Sequence, residues 1–182
     1  MAKVKLTPRD MALSALFTAL IAVGAYIRIP LPSAPFTLQV MFTTLAGLLL
    51  GSRLGMISTG MYMILGVCGL PVFTTGGGLS YIFQPTFGYI IGFIFGAALA
   101  GFIAERSKTK SFKVLLLASL ANLAVIYTFG VTYYYFITTY YLNSPVAASV
   151  LLVQCVLITI PGDILCCVVD ALLVGRLRKA LK

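Results

Sequence analysis

Long apolar runs separated by short polar or glycine- and proline-rich segments make up most of the chain. A helix needs about 20 mainly apolar residues to cross about 30 Å of hydrocarbon. The pattern predicts an all-α membrane protein with six transmembrane helices, over residues 10–29, 36–50, 54–69, 85–104, 114–137 and 147–175. The second and third runs are short for a full crossing, and Pro161 and Gly162 interrupt the sixth.

Composition agrees with lipid as the solvent. Hydrophobic residues make up 60% of the 182 residues and charged residues only 9%, whereas about 25% of a soluble domain is charged. No linker is visible, so residues 1–182 are expected to form one domain. Cys68, Cys155, Cys166 and Cys167 lie inside apolar runs and are interpreted as small buried hydrophobic residues.

The basic residues predict the orientation of the helices. A net charge of +9 could suggest nucleic acid, but basic residues also flank membrane helices on the cytoplasmic side, and nucleic acid is not an expected partner. With six helices, twelve of the thirteen basic residues fall on one face, which places both termini in the cytoplasm; only Arg28 lies near the outer face. The twelve are Lys3, Lys5, Arg9, Arg53, Arg106, Lys108, Lys110, Lys113, Arg176, Arg178, Lys179 and Lys182. The first apolar run follows basic residues as a signal peptide would, but its length and the later runs favour a retained helix.

The residue types available exclude several kinds of chemistry. The sequence has no histidine, so it cannot form a Ser-His-Asp triad or a metal site of histidines and carboxylates. It also lacks the glycine- and lysine-containing motif that binds ATP phosphates. We therefore expect neither an enzyme nor a resident metal or cofactor.

Asp163 is the most informative residue, because an ionised carboxylate at the centre of a membrane helix costs about 2.5–3.5 kcal/mol. It follows Pro161, which frees backbone carbonyls in the preceding turn. Interrupted backbone at this depth is tolerated where it lines a cavity. A substrate site is the functional interpretation, and a neutral aspartate at a kink is the structural one. Asp170 lies on the same helical face, where either role is open.

The glycine-rich loop of residues 71–84 is a second candidate site. Successive glycines allow close approach of backbone to a ligand, although an ordinary flexible loop explains them equally well. Tyrosines of this region could line a pocket or belong to the aromatic belt at the membrane interface. Asn122 and Gln154 could instead join neighbouring helices. The candidate ligand-contacting residues here are Gln39, Phe73, Gly76, Gly77, Gly78, Tyr81, Gln84, Tyr89 and Tyr133 to Tyr135.

The first helix carries small residues on one side. Ala15 and Ala19 are four residues apart, with Ser14, Thr18 and Ala22 beside them. Small residues at this spacing let another helix approach closely. The ridge could dock a partner protein or pack within this chain.

Four motifs together resemble those of the biotin-specific S components (BioY family) of energy-coupling factor (ECF) transporters, in order and spacing along essentially the whole chain. They are Pro35-Phe36-Thr37-Leu38-Gln39, Gly69-Leu70-Pro71-Val72-Phe73, Pro85-Thr86-Phe87-Gly88-Tyr89 and Pro161-Gly162-Asp163. The resemblance implies a prokaryotic cell-membrane protein that captures a vitamin outside the cell. It also implies association with a transmembrane coupling protein and two cytoplasmic ATPases, with docking through Ala15 and Ala19.

The family resemblance also bears on the ligand. Cys166 occupies the position where the family usually has a lysine, and Ile90 a position that is sometimes basic. Biotin is the expected ligand, with its ureido group near Asp163 and Gln39, and lipoate is the alternative ligand. The alternative function is a carrier that transports its substrate without partner proteins. The carboxylate tail of biotin could lie near Arg28 or on the N–H groups of Gly76 to Gly78.

Overall fold

The computed structural model describes residues 6–31, 34–107, 109–144 and 146–180, without the side chains of residues 148 and 178–180. The predicted basic flanks at Lys3, Lys5, Lys108 and Lys182 lie outside the described residues, and so do Pro32 and Pro145 of the predicted outer loops. The side chains of Arg178 and Lys179 are likewise not described.

The described chain is a helical bundle whose elements follow the order of the predicted apolar runs. A 3₁₀ turn at Leu79–Phe83 lies in the glycine-rich loop, and π-helical turns occupy Ile137–Tyr141 and Val153–Leu157. The helices are α1 (Pro8–Tyr26), α2 (Gln39–Leu50), α3 (Ser52–Val67), α4 (Phe87–Arg106), α5 (Phe112–Phe136), α6 (Ala148–Leu152) and α7 (Ile160–Ala180).

Four helical segments are long and apolar enough to cross a membrane: Pro8–Tyr26, Phe87–Arg106, Phe112–Tyr141 and Ser149–Leu177. The helix α2 is apolar but has only 12 residues, and α3 has 16. The prediction of an all-α membrane protein is confirmed. Six complete crossings and cytoplasmic termini stay predictions.

A small antiparallel hairpin shortens the first two predicted helices. Arg28 pairs with Thr37 and Ile29 with Phe36, which defines β1 (Arg28–Ile29) and β2 (Phe36–Thr37). The first helix therefore ends at Tyr26 rather than at residue 29, and the second begins at Gln39 rather than at residue 36. Strands of two residues carry no readable alternation, so the apolar pattern could not reveal them.

The break in the sixth predicted helix precedes Pro161 and is not at Pro161 and Gly162 themselves. Residues 158–159 form a turn after the π-helical segment, and α7 begins at Ile160. Pro161 thus lies in the first turn of α7, where a missing N–H removes no intrahelical bond. This arrangement places Asp163 in the first turn of a new helix.

The interface between α4 and α5 is built on three glycines spaced four residues apart. A β-carbon added at Gly92 would lie 2.8 Å from Cα of Ile126, and one added at Gly88 or Gly96 would overlap Tyr133 or Asn122. Small residues at this spacing allow close helix packing in membranes. This close packing fixes α5 against α4 and so positions the α5 residues that face the interior.

Candidate functional site

One cavity of about 600 Å³, including its open mouth, lies between α2, α3, α4, α5 and α7. The β1–β2 hairpin and the loop that follows α3 cover one end, which we call the hairpin end. Ligand pockets commonly combine apolar walls with a few polar groups. The lining residues are Ala34, Pro35, Phe36, Thr37, Gln39, Val40, Tyr62, Thr74, Tyr81, Thr86, Tyr89, Ile90, Phe93, Ile126, Tyr127, Cys155, Thr159 and Asp163.

Asp163 forms the acidic wall of this central cavity and is 3% exposed. The Tyr127 hydroxyl donates a hydrogen bond of 2.5 Å to its Oδ2. The same hydroxyl lies 2.8 Å from Oγ1 of Thr159. Asp163 Oδ1 is buried and has no hydrogen-bond partner among the described residues. Since a buried polar atom without a partner is costly, Oδ1 is suited to accept a hydrogen bond from a ligand.

Gln39 supplies a second polar group to the cavity wall. Its Nε2 donates a 2.6 Å hydrogen bond to the Tyr62 hydroxyl, which in turn donates to the carbonyl of Val72 at 3.1 Å. Oγ1 of Thr37 donates to Gln39 Oε1 at 3.3 Å. These bonds hold the amide at the first turn of α2 and link it to the hairpin. A buried and oriented amide can both donate to and accept from a ligand.

Aromatic rings supply much of the remaining wall. The Tyr62, Phe73 and Tyr81 rings form a chain with centroid separations of 5.3 and 4.4 Å, of which Tyr62 and Tyr81 line the cavity and Phe73 lies behind them. Across the cavity, the Tyr89 hydroxyl is buried without a hydrogen-bond partner in the described part of the chain. The cavity therefore offers a second polar atom to a ligand.

The structure brings together four of the sequence-predicted ligand-contacting residues: Gln39, Tyr81, Tyr89 and Asp163. The others do not line the cavity. Gly76 and Gly78 donate their N–H groups to the carbonyls of Phe73 and Gly66, so the loop satisfies its own backbone. Gln84 is exposed and Cys166 is buried outside the cavity. Tyr133 donates to the carbonyl of Ile82 and helps to hold the loop in place.

Several cavity residues were missed by the sequence reasoning, notably Tyr127 and Thr159. Thr159 precedes Asp163 by four residues, and a polar residue at this spacing was a readable signal. Tyr127 lies in the middle of an apolar run and carried a similar signal. Phe36 was noted only as part of a motif. A β-carbon at Gly162 would lie 2.6 Å from its ring, so Gly162 gives the hairpin room beside Asp163.

The hairpin end is tied to the glycine-rich loop by two side chains. The Tyr26 hydroxyl donates to the carbonyl of Pro71, and Arg28 Nη1 donates to the carbonyl of Thr74. Both acceptors belong to the loop that includes the cavity residues Thr74 and Tyr81. The hairpin and the loop therefore cover the cavity as one connected unit.

Two other predicted features lie away from the cavity. Asp170 is fully buried, and neither carboxylate oxygen has a hydrogen-bond partner among the described residues. Ala15 and Ala19 are exposed on α1, beside the exposed Met11, Leu16 and Val23. Ala15 and Ala19 therefore face outward, whereas Ser14 and Thr18 beside them are buried and Thr18 donates a hydrogen bond to the carbonyl of Ser58 in α3.

Comparisons with known proteins agree with the motifs. The BioY family model matches residues 1–182. The chain is 41% identical over 173 residues to the probable biotin transporter BioY of Lysinibacillus sphaericus, covering 95% of this chain and 88% of that protein. It is also 41% identical over 173 residues to the biotin transporter BioY of Thermotoga maritima, covering 94% and 96% of the two chains.

A solved structure shares the fold. The crystal structure of the S-component for biotin from an ECF-type ABC transporter matches with a TM-score of 0.70 and 30% identity, over 94% of this chain and 91% of that chain. The family model matches the full sequence, and the relatives are 41% identical over nearly all of the chain. The chain therefore belongs to the BioY family, whose members are multi-pass membrane proteins of prokaryotes.

Proposed function

We propose that this chain is the biotin-binding S component of an ECF-type ABC transporter, which captures the vitamin at the cell surface. The single observation that carries the proposal is that Asp163 Oδ1, in the central cavity, has no hydrogen-bond partner among the described residues. The ureido group of biotin has two N–H donors, and a charged acceptor strengthens such a hydrogen bond. The names of the relatives point to the same ligand.

The rest of the cavity suits the other parts of biotin. Tyr62, Tyr81 and Phe93 provide apolar surface for the sulfur-containing ring. The Gln39 amide and the Tyr89 hydroxyl can bond the ureido carbonyl and N–H groups. Lipoate has a similar tail and sulfur but no ureido donors. It would leave Asp163 Oδ1 without a partner, which is unfavourable in a buried site.

Transport would require other proteins. The sequence has no ATP-binding lysine motif, so we expect a transmembrane coupling protein and two cytoplasmic ATPases to supply the driving force. The exposed Ala15 and Ala19 ridge on α1 is the surface proposed for docking. This chain would bind the substrate and its partners would hydrolyse ATP.

Calorimetry on the detergent-purified chain tests the ligand. Biotin should bind tightly and lipoate weakly or not at all, because only biotin donates to Asp163. The reverse order of affinities would contradict the assignment. Identification of the small molecule that co-purifies with the protein provides an independent check.

A further inference from the structure

The charges around the central cavity are unevenly distributed. Asp163 lies on its wall, and the cavity lining contains no basic residue among the described residues. An anionic ligand group placed beside Asp163 would be repelled and would lose its hydration. A carboxylate tail is therefore excluded from that part of the cavity.

The glycine-rich loop does not supply a substitute for a cation. An anion-binding nest needs successive backbone N–H groups directed at the ligand. The N–H groups of Gly76 and Gly78 are directed at the Phe73 and Gly66 carbonyls, the second at 2.7 Å. None of Gly76 to Gly78 lines the cavity. Of the two positions expected for the tail, this one does not offer the successive free N–H groups that a nest needs, because the donors on both sides of Gly77 are used within the loop.

Arg28 occupies the other position. Its Nη1 donates to the carbonyl of Thr74, a cavity-lining residue, so the guanidinium lies beside the cavity wall at the hairpin end. A guanidinium has five N–H donors, and this bond uses one. The four carboxylates of the chain lie elsewhere: Asp10 and Glu105 cap helices at the opposite end of the bundle, Asp163 bonds Tyr127, and Asp170 is buried further along α7.

We propose that Arg28 binds the carboxylate tail of the ligand at the hairpin end of the cavity, so that the ligand lies with its polar ring toward Asp163 and its tail toward the hairpin. This inference rests on the proposed function for the identity of the ring. It makes Arg28 the residue that distinguishes an acid from its uncharged amide.

Calorimetry with biotin and biotin amide on the purified chain tests the proposal. The wild-type chain should bind biotin about fivefold more tightly than the amide, as for a partly exposed ion pair of about 1 kcal/mol. Arg28→Gln should remove this preference by weakening biotin more than the amide, and Arg28→Lys should keep most of the preference. Raising the salt concentration should weaken biotin binding and leave amide binding unchanged, because exposed charges are screened.

Tyr26→Phe is the matched control, since it breaks the neighbouring bond between the end of α1 and the loop without changing charge. It should weaken both ligands equally. If Arg28→Gln also weakens both ligands equally, Arg28 only fastens the hairpin and the proposal is overturned. Equal affinities for acid and amide in the wild-type chain would overturn it as well. Binding of neither ligand by the wild-type chain would contradict the biotin assignment itself.

Discussion

Asp163 is buried with one protein donor to Oδ2 and no partner for Oδ1 among the described residues. A buried carboxylate is tolerated when hydrogen bonds compensate for its lost hydration. A ligand with N–H donors would supply the missing bond. Binding affinity should therefore depend more strongly on this carboxylate than on the other buried one in α7.

Asp163→Asn tests this dependence with little change in shape. It replaces a charged acceptor by a neutral one, and charged hydrogen bonds are stronger by about 1–1.5 kcal/mol. We expect a dissociation constant for biotin about tenfold higher by calorimetry. Asp170→Asn is the control, because Asp170 is buried outside the cavity. Equal effects of the two substitutions would remove Asp163 from the binding site.

At the scale of single residues, the sequence identified part of the cavity and missed the rest for a physical reason. Gln39 and Asp163 stand out locally because polar groups in membrane helices are costly. Phe73 and the glycines were predicted as ligand contacts because successive glycines allow backbone to approach a ligand closely. The loop folds back on itself, however, with Phe73 and Gly76 hydrogen-bonded to each other. Such loop geometry depends on tertiary contacts that periodicity does not encode.

At the scale of elements, the apolar runs predicted the helices and their order, but not the hairpin or the position of the helix break. The glycines of α4 are a signal that was readable in the sequence and not used. Gly88, Gly92 and Gly96 repeat every four residues, the spacing that brings residues to one helical face. The structure shows that this face packs closely on α5.

Gly92→Ala should therefore destabilise the protein. The new methyl group would meet the α5 backbone at Ile126, and overpacking of this kind costs about 1–3 kcal/mol. The apparent melting temperature in detergent should fall. Gly60→Ala in α3 is the matched control, because a β-carbon there meets nothing within 4 Å. It should leave the melting temperature unchanged or raise it, since alanine favours helix over glycine by about 1 kcal/mol. A similar fall for both variants would argue against a specific effect at the α4–α5 interface.

At the scale of the whole molecule, the cavity and the exposed α1 ridge lie on separate surfaces, which allows ligand binding and partner docking to be tested separately. Ala15→Trp or Ala19→Trp would hold a partner helix away from the ridge. We expect normal biotin affinity on the purified variants but loss of biotin uptake in cells. Leu117→Trp is the control, because Leu117 is 61% exposed on α5 and lies outside the ridge. Weakened biotin binding by Ala15→Trp or Ala19→Trp would show that the ridge supports the internal structure instead.

The charge distribution predicts the orientation of the molecule in the membrane. Twelve of the thirteen basic residues flank helices on the face predicted to be cytoplasmic, and Arg28 is the exception. Basic residues near helix ends are retained in the cytoplasm, so a reporter fused after Lys182 should be cytoplasmic. Asn143, which is exposed after the π-helical turn that follows α5, should lie outside.

A membrane-impermeant thiol reagent should therefore label Asn143→Cys in intact cells, and a cysteine at Thr109 between α4 and α5 only after lysis. The background for both is the chain with its four native cysteines replaced by alanine. Labelling of both positions from the same side would contradict the six-helix topology, because α5 alone separates them.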